Sequence, residues 1–113
     1  MATISVIDKS DTIRKKLFYS ESGSGTSEPV KIPNIYPITI GIHSISGGEA
    51  RIEYTLNPDD KEVEEESPSV KWKAWSHGDV SQDNDSCLNS PISFVRVASD
   101  IATWTLEILV SER

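Results

Sequence analysis

Between residues 36 and 56 apolar and polar positions alternate almost without a break. Ile38, Ile40 and Ile42 alternate with Thr39, Gly41 and His43. After Gly47-Gly48, Ala50, Ile52, Tyr54 and Leu56 alternate with Glu49, Arg51, Glu53 and Thr55. A period of two sorts each set onto one face of a strand. Two such runs joined by Gly-Gly predict an antiparallel hairpin with one buried face. Near the C-terminus Pro91 opens a second apolar run, I-S-F-V-R-V-A, and Asp100 marks a turn. A final strand follows, with Ala102, Trp104, Leu106, Ile108 and Val110 set against Thr103, Thr105 and Glu107. The stretch V-K-W-K-A-W-S-H-G, Val70 to Gly78, reads as a short strand that His77-Gly78 stops. Its alternation points Val70, Trp72 and Ala74 to the core. Lys71, Lys73 and Trp75 then face outward, a mix of lysine stems and an indole suited to a half-wet or partner-covered surface.

The intervening segments are less regular. Residues 2 to 7, A-T-I-S-V-I, form a β-branched run that predicts a strand, and Ser10-Asp11 breaks it. Residues 12 to 20 fit helical or strand spacing, and the Phe18-Tyr19 pair favours strand. S-E-S-G-S-G-T-S-E, 20 to 28, reads as a flexible loop or linker. Prolines 29, 33 and 37 confine any strand among them to an edge. Asp59 to Glu66 holds six acids within a long exposed loop from 57 to 69, and 79 to 90 is polar and turn-rich. The expected fold is all-β, six to eight short strands along the chain and no helix, with a single β-sandwich or jelly-roll-like domain over 30–113. Residues 1–19 are an extended N-terminal arm or first strands, and 20–29 the linker. The expected core is Ile38, Ile40, Ile42, Ile52, Tyr54, Leu56, Trp72, Val95, Val97, Trp104, Leu106 and Ile108, each contributing roughly 1.5–3 kcal/mol before entropy is subtracted.

Composition narrows the function. With 113 residues, one domain can bury a core without staples. The formal net charge of −7 disfavours a phosphate backbone as partner, so no nucleic acid is expected. A single cysteine, Cys87, forms no intrachain disulfide. The N-terminus lacks the basic lead and apolar run of a signal peptide, and no stretch approaches membrane-spanning length, so synthesis in a cytoplasm and no membrane partner are expected.

Candidate chemistry is sparse. Asp59-Asp60 with Glu62, and Asp79 with Asp83, Asn84 and Asp85, offer oxygen ligands, but neither matches the D-x-[DN]-x-[DN]-G calcium loop. His43, His77 and Cys87 lack zinc-ligand spacing. No G-x-S-x-G element surrounds any serine, and the Gly-rich pieces precede neither a helix nor a Lys. No catalytic residue, metal or cofactor is therefore assigned. A carbohydrate-binding surface is the alternative, with Tyr36 and Trp75 stacking on sugar and Asp83 and Asp85 holding hydroxyls.

Four stretches together resemble small virion proteins of tailed bacteriophages: A-R-I-E-Y-T-L, then K-W-K-A-W-S-H-G-D-V, S-P-I-S-F-V-R-V-A and A-T-W-T-L-E-I-L-V. The shared pattern is W-x-x-W-x-x-G, P-[VI]-x-x-[VIL]-R-V and A-T-x-x-[IVL]-E-[IVL]. It is carried by Trp72, Trp75, Gly78, Pro91, Arg96, Val97 and Glu107 over residues 49–110. The resemblance implies a capsid decoration protein, also called a cement or staple protein: a non-enzymatic, β-rich oligomer, dimer or trimer, on the capsid surface of the virion. Its partner would be the major capsid protein. On this reading the capsid or oligomer contacts are Ile4, Val6, Arg14, Lys15 and Lys16 in the basic first segment, with Lys71, Lys73 and Trp75 on the tryptophan strand. An arm that adds a strand to a coat sheet gains main-chain hydrogen bonds, and many copies gain by multivalency.

Overall fold

The computed structural model describes residues 2–3, 16–33, 38–88 and 92–111. Nine strands and one short helix form among them. In chain order they are β1 (Ala2–Thr3), β2 (Lys16–Ser24), β3 (Val30–Lys31), β4 (Ile38–Ser46), β5 (Arg51–Thr55), α1 (Asp60–Glu64), β6 (Lys73–Ala74), β7 (Asn84–Leu88), β8 (Phe94–Ala98) and β9 (Thr103–Ser111). Sheet I has the order β1-β3-β8-β5-β6 and sheet II the order β2-β9-β4-β7.

The pairings nest. β2 pairs with β9, β3 with β8, β4 with β7 and β5 with β6, all antiparallel, as if one long hairpin ran from β2 to β9 with its tip between β5 and β6. Rolling that hairpin adds the pairs β4–β9 and β5–β8. This is the eight-stranded, double-Greek-key jelly roll, so the expected all-β sandwich is the fold. Two-residue β1 joins its edge, parallel to β3.

The core follows the predicted alternation. Ile38, Ile40, Ile42, Ile52, Val95, Val97, Trp104, Leu106, Ile108 and Val110 all point between the sheets and are buried. Trp104 anchors the β2 side. Its indole N–H donates to the Gly25 carbonyl at 2.8 Å. Gly23 lets the ring approach, because a Cβ there would sit 3.1 Å from it.

Several expectations are corrected. The run from 38 to 56 is not a hairpin: β4 belongs to sheet II and β5 to sheet I. Gly47 and Gly48, at φ 82° and 151°, carry the chain across the sandwich. An arch between sheets and a hairpin within one give the same alternation, because each strand buries one face in either case. The tryptophan stretch is strand only at Lys73–Ala74, so its alternation does not extend over 70–75. Trp75 lies in the main core at 4% exposure, whereas Trp72 is half-buried outside it. Leu56, expected inside, is 58% exposed just past β5, and Tyr54 is half-buried. The Ser/Gly stretch is no linker through Ser24: Ser20 to Ser24 pair with Glu107 to Thr103 as the second half of β2. Residues 16–19 are sheet, as the Phe18-Tyr19 pair favoured; 4–15 lie outside the described residues. The polar 79–90 stretch contains β7, held by its ladder to β4 and lacking any apolar signal of its own.

The acidic loop holds helix α1. Asp59 caps it, its carboxylate accepting from the N–H groups of Lys61 at 3.0 Å and Glu62 at 3.1 Å. Asp-x-x-Glu from 59 to 62 has the spacing of a capping box. The helix ends in a Schellman motif: Ser67 N–H donates to the Glu62 carbonyl and Glu66 N–H to that of Val63. Glu66 holds the left-handed position at φ 55°, a place that favours glycine.

Candidate functional site

The two outer faces of the sandwich differ. On sheet I, Phe94 projects outward into a small second core with Val63 of α1 and Val70, and Trp72 packs against it. Beside it lies an ion network. Glu53, 7% exposed, accepts from Arg96 Nε at 2.8 Å and from Arg51 Nε at 2.9 Å. Arg51 also reaches Asp79 at 3.2 Å. The Arg96 guanidinium lies 4.1 Å over the Trp72 ring. Burial alone would push the Glu53 carboxyl up, but the hydrogen bonds and charges of Arg96 and Arg51 outweigh it and hold the group below the usual carboxylate range. The same bonds, Glu53 first, raise Arg51. The 57–72 segment therefore covers much of this face with the chain's own side chains.

Sheet II has no such cover among the described residues. Its register sets out the outward positions in rows. Phe18, Leu109, Thr39 and Cys87 form one; Ser20, Glu107, Gly41 and Asp85 the next; Ser22, Thr105 and His43 a third. The first is the more apolar, and Leu109 is 40% exposed. In the second, Gly41 leaves a gap between two carboxylates about 10 Å apart at their Cα atoms, two strand spacings.

That gap is the floor of a 350 Å³ cleft lined by Gly41, Ile42, His43, Asp83, Asn84, Asp85 and Glu107. His43 Nε2 lies 2.6 Å from Glu107 Oε1, and its Nδ1 lies 3.2 Å from the Ser44 hydroxyl. Ser44, at φ 57°, sits where the β4–β9 register shifts, and its N–H donates to Asp83 Oδ1 at 3.1 Å. The cleft presents carboxylate acceptors and an imidazole on an open sheet face, a geometry that can hold hydroxyls or amines. No group of three or more His, Cys, Asp or Glu with metal-binding geometry occurs among the described residues.

Of the proposed glycan contacts, Asp83 and Asp85 meet in this cleft. Tyr36 lies outside the described residues, and Trp75 is withdrawn into the core. The burial of Trp75 also removes it as a capsid or oligomer contact. Its indole N–H donates to the Gly78 carbonyl at 3.0 Å, with Gly78 in the left-handed region at φ 65°. Trp75, Gly78 and the Trp72–Arg96 stack are thus folding elements. Lys71 and Lys73 are exposed at another place, lining a 210 Å³ cleft with Tyr54 and Leu56. Leu56 also borders a 430 Å³ groove with Pro33, Pro58 and Ile92. Lys16 falls in β2, while Ile4, Val6, Arg14 and Lys15 lie outside the described residues.

His43, Gly41 and Glu107 went unrecognised in the sequence. Alternation placed all three on polar faces, but nothing local said that β4 and β9 are neighbours. Compared with known proteins, the chain matches no family model, no curated protein and no solved structure.

Proposed function

We propose that this protein is a non-enzymatic binding module, a capsid decoration protein that clamps coat subunits of a phage head as a small oligomer. The observation that carries this reading is the asymmetry of the sandwich: the chain's own 57–72 segment covers much of sheet I, and among the described residues nothing comparable covers sheet II. An open four-stranded face of this kind suits broad, repeated docking on a shell better than enclosure of a small substrate. The virion assignment rests on the motif resemblance.

The test is co-sedimentation with expanded shells of a tailed-phage major capsid protein. Full-length protein should pellet with the shells. A variant lacking residues 1–15, which spares all of β2, should stay in the supernatant with its strand-rich circular dichroism intact. Failure of the full chain to pellet would sink the capsid role; pelleting of the truncated chain would sink the role of the first segment.

One observation favours a second reading, carbohydrate recognition: the cleft that brings Asp83, Asp85, Glu107 and His43 around Gly41. A glycan array with Asp85→Asn as control decides it. Tryptophan fluorescence is not the right probe, because no indole lines this cleft.

A further inference from the structure

Each sheet has two edges, and four strands form them among the described residues: β1 and β6 in sheet I, β2 and β7 in sheet II. Exposed edges invite pairing with another chain unless they are short, charged, bulged or broken by proline. β1 and β6 are two residues long. β7 is five residues long and carries Asp85, next to Asp83, on the cleft side. β2 differs from all three. It runs nine residues in unbroken register against β9, with no proline and no bulge. Its outward positions after Lys16 are Phe18, Ser20, Ser22 and Ser24, all uncharged. Its one acid, Glu21, shares the inward side with Tyr19 and accepts from the Tyr19 hydroxyl at 2.8 Å. Tyr19 packs on the main core. Burial, the bond to Glu21 and the nearby carboxylates raise its hydroxyl, so it stays protonated and donating.

We propose that β2 pairs antiparallel with β2 of a second copy about a two-fold axis through Ser20, fusing the two sheets II into one eight-stranded sheet. The occupant follows from self-complementarity. A two-fold edge contact requires the strand to match its own reverse. Ser20 is the midpoint of Lys16–Ser24. An axis there pairs all nine residues with no overhang: Lys16 with Ser24 of the second copy, Leu17 with Gly23, Phe18 with Ser22, and Tyr19 with Glu21. No like charges meet, and each Tyr19 faces a carboxylate of the other chain. Moving the axis one residue on, to Glu21, would set two carboxylates directly opposite, which is destabilising. Small Ser and Gly side chains on half of the strand let the backbones approach. The pairing also joins the rows that run through Phe18 and Leu109 across the two copies. This inference stands whether or not a capsid is the target, and its test uses purified protein alone.

The experiment is light scattering and disulfide trapping of the full chain. The unmodified protein, 12.5 kDa per chain, should show twice that mass, with dissociation on dilution. In a Cys87→Ser background, Ser20→Cys places two thiols across the axis at about 4.5–5.5 Å between Cα atoms, within disulfide range. Mild oxidation should trap it as a dimer that reductant releases. Ser24→Cys in the same background separates the thiols by eight residues, about 27 Å, and should not cross-link. Ser20→Lys opposes two ammonium groups on the axis and should give monomer with unchanged circular dichroism. Monomeric unmodified protein at every concentration, a Ser20→Cys variant that stays monomeric, or equal trapping at positions 20 and 24 would overturn the proposal. If Ser20→Lys fails to fold, the two cysteine variants still decide.

Discussion

Truncating each indole of the W-x-x-W pair separates two roles that the sequence pattern assigns in reverse. Trp75 is 4% exposed in the main core, and its N–H is bonded to the Gly78 carbonyl. A buried indole removes about 150–250 Å² from water, worth roughly 4–6 kcal/mol at 25 cal/mol/Å². Measured large-to-small core truncations of this kind cost about 3–5 kcal/mol. Trp75→Ala should therefore lower unfolding free energy by about 3–5 kcal/mol. Trp72 is half-buried over Val63, Val70 and Phe94, with Arg96 on its ring. Its truncation forfeits partial burial and a cation–π contact, about 1–2 kcal/mol together. Urea unfolding followed by circular dichroism measures both, with a constant m-value as the check that midpoints report stability. At about 4 °C per kcal/mol for a chain of this size, the melting temperatures should fall by more than 10 °C and by about 4–8 °C respectively. Should Trp75→Ala not fold, Trp75→Phe replaces it, with an expected loss of about 1–2 kcal/mol from the smaller ring and the lost hydrogen bond. A Trp72 variant as costly as its Trp75 counterpart would refute the core assignment.

Other outcomes follow from single features. Glu66→Gly relieves a side chain held at φ 55° in the Schellman motif and should stabilise the fold by about 1 kcal/mol, read by thermal melting; a loss would contradict the helix end described here. Glu53 titrates below its ordinary range when folded, so its network contributes stability that is fully present above the unfolded carboxyl's pKa and is lost as pH falls through the lower, folded one. Urea midpoints should therefore drop on acidification below about pH 4.5. Glu53→Gln should show a shallower acid dependence and a lower midpoint at pH 7; an unchanged acid limb would argue against the network.

What the sequence disclosed was each strand's buried face, and what it withheld was the partner across the ladder. Ile38 to Ile42 and Trp104 to Val110 point inward as alternation requires. Yet Gly47-Gly48 reads equally as a hairpin or an arch, and the choice depends on β8 and β9, more than forty residues on. Trp72 and Trp75 were misassigned because period two holds only within a strand, and theirs is two residues long. β7 and the second half of β2 were invisible because ladder bonds to β4 and β9, not side-chain apolarity, hold N-D-S-C-L and S-E-S-G-S extended. Helix α1 was legible after all, in the Asp59–Glu62 spacing, but like-charge repulsion masked it. The cleft around Gly41 needed the register, which no local pattern encodes.

The nested ladder also has a mechanical consequence. Lys16 sits opposite Ser111, so the start of β2 and the end of β9 lie side by side. Tension between them peels the ladder bond by bond, the geometry of a zipper. A load delivered sideways along the length of β2 is instead borne by every rung together. A tether through the first residues alone would thus yield readily under force, whereas gripping by the flank of the strand would hold.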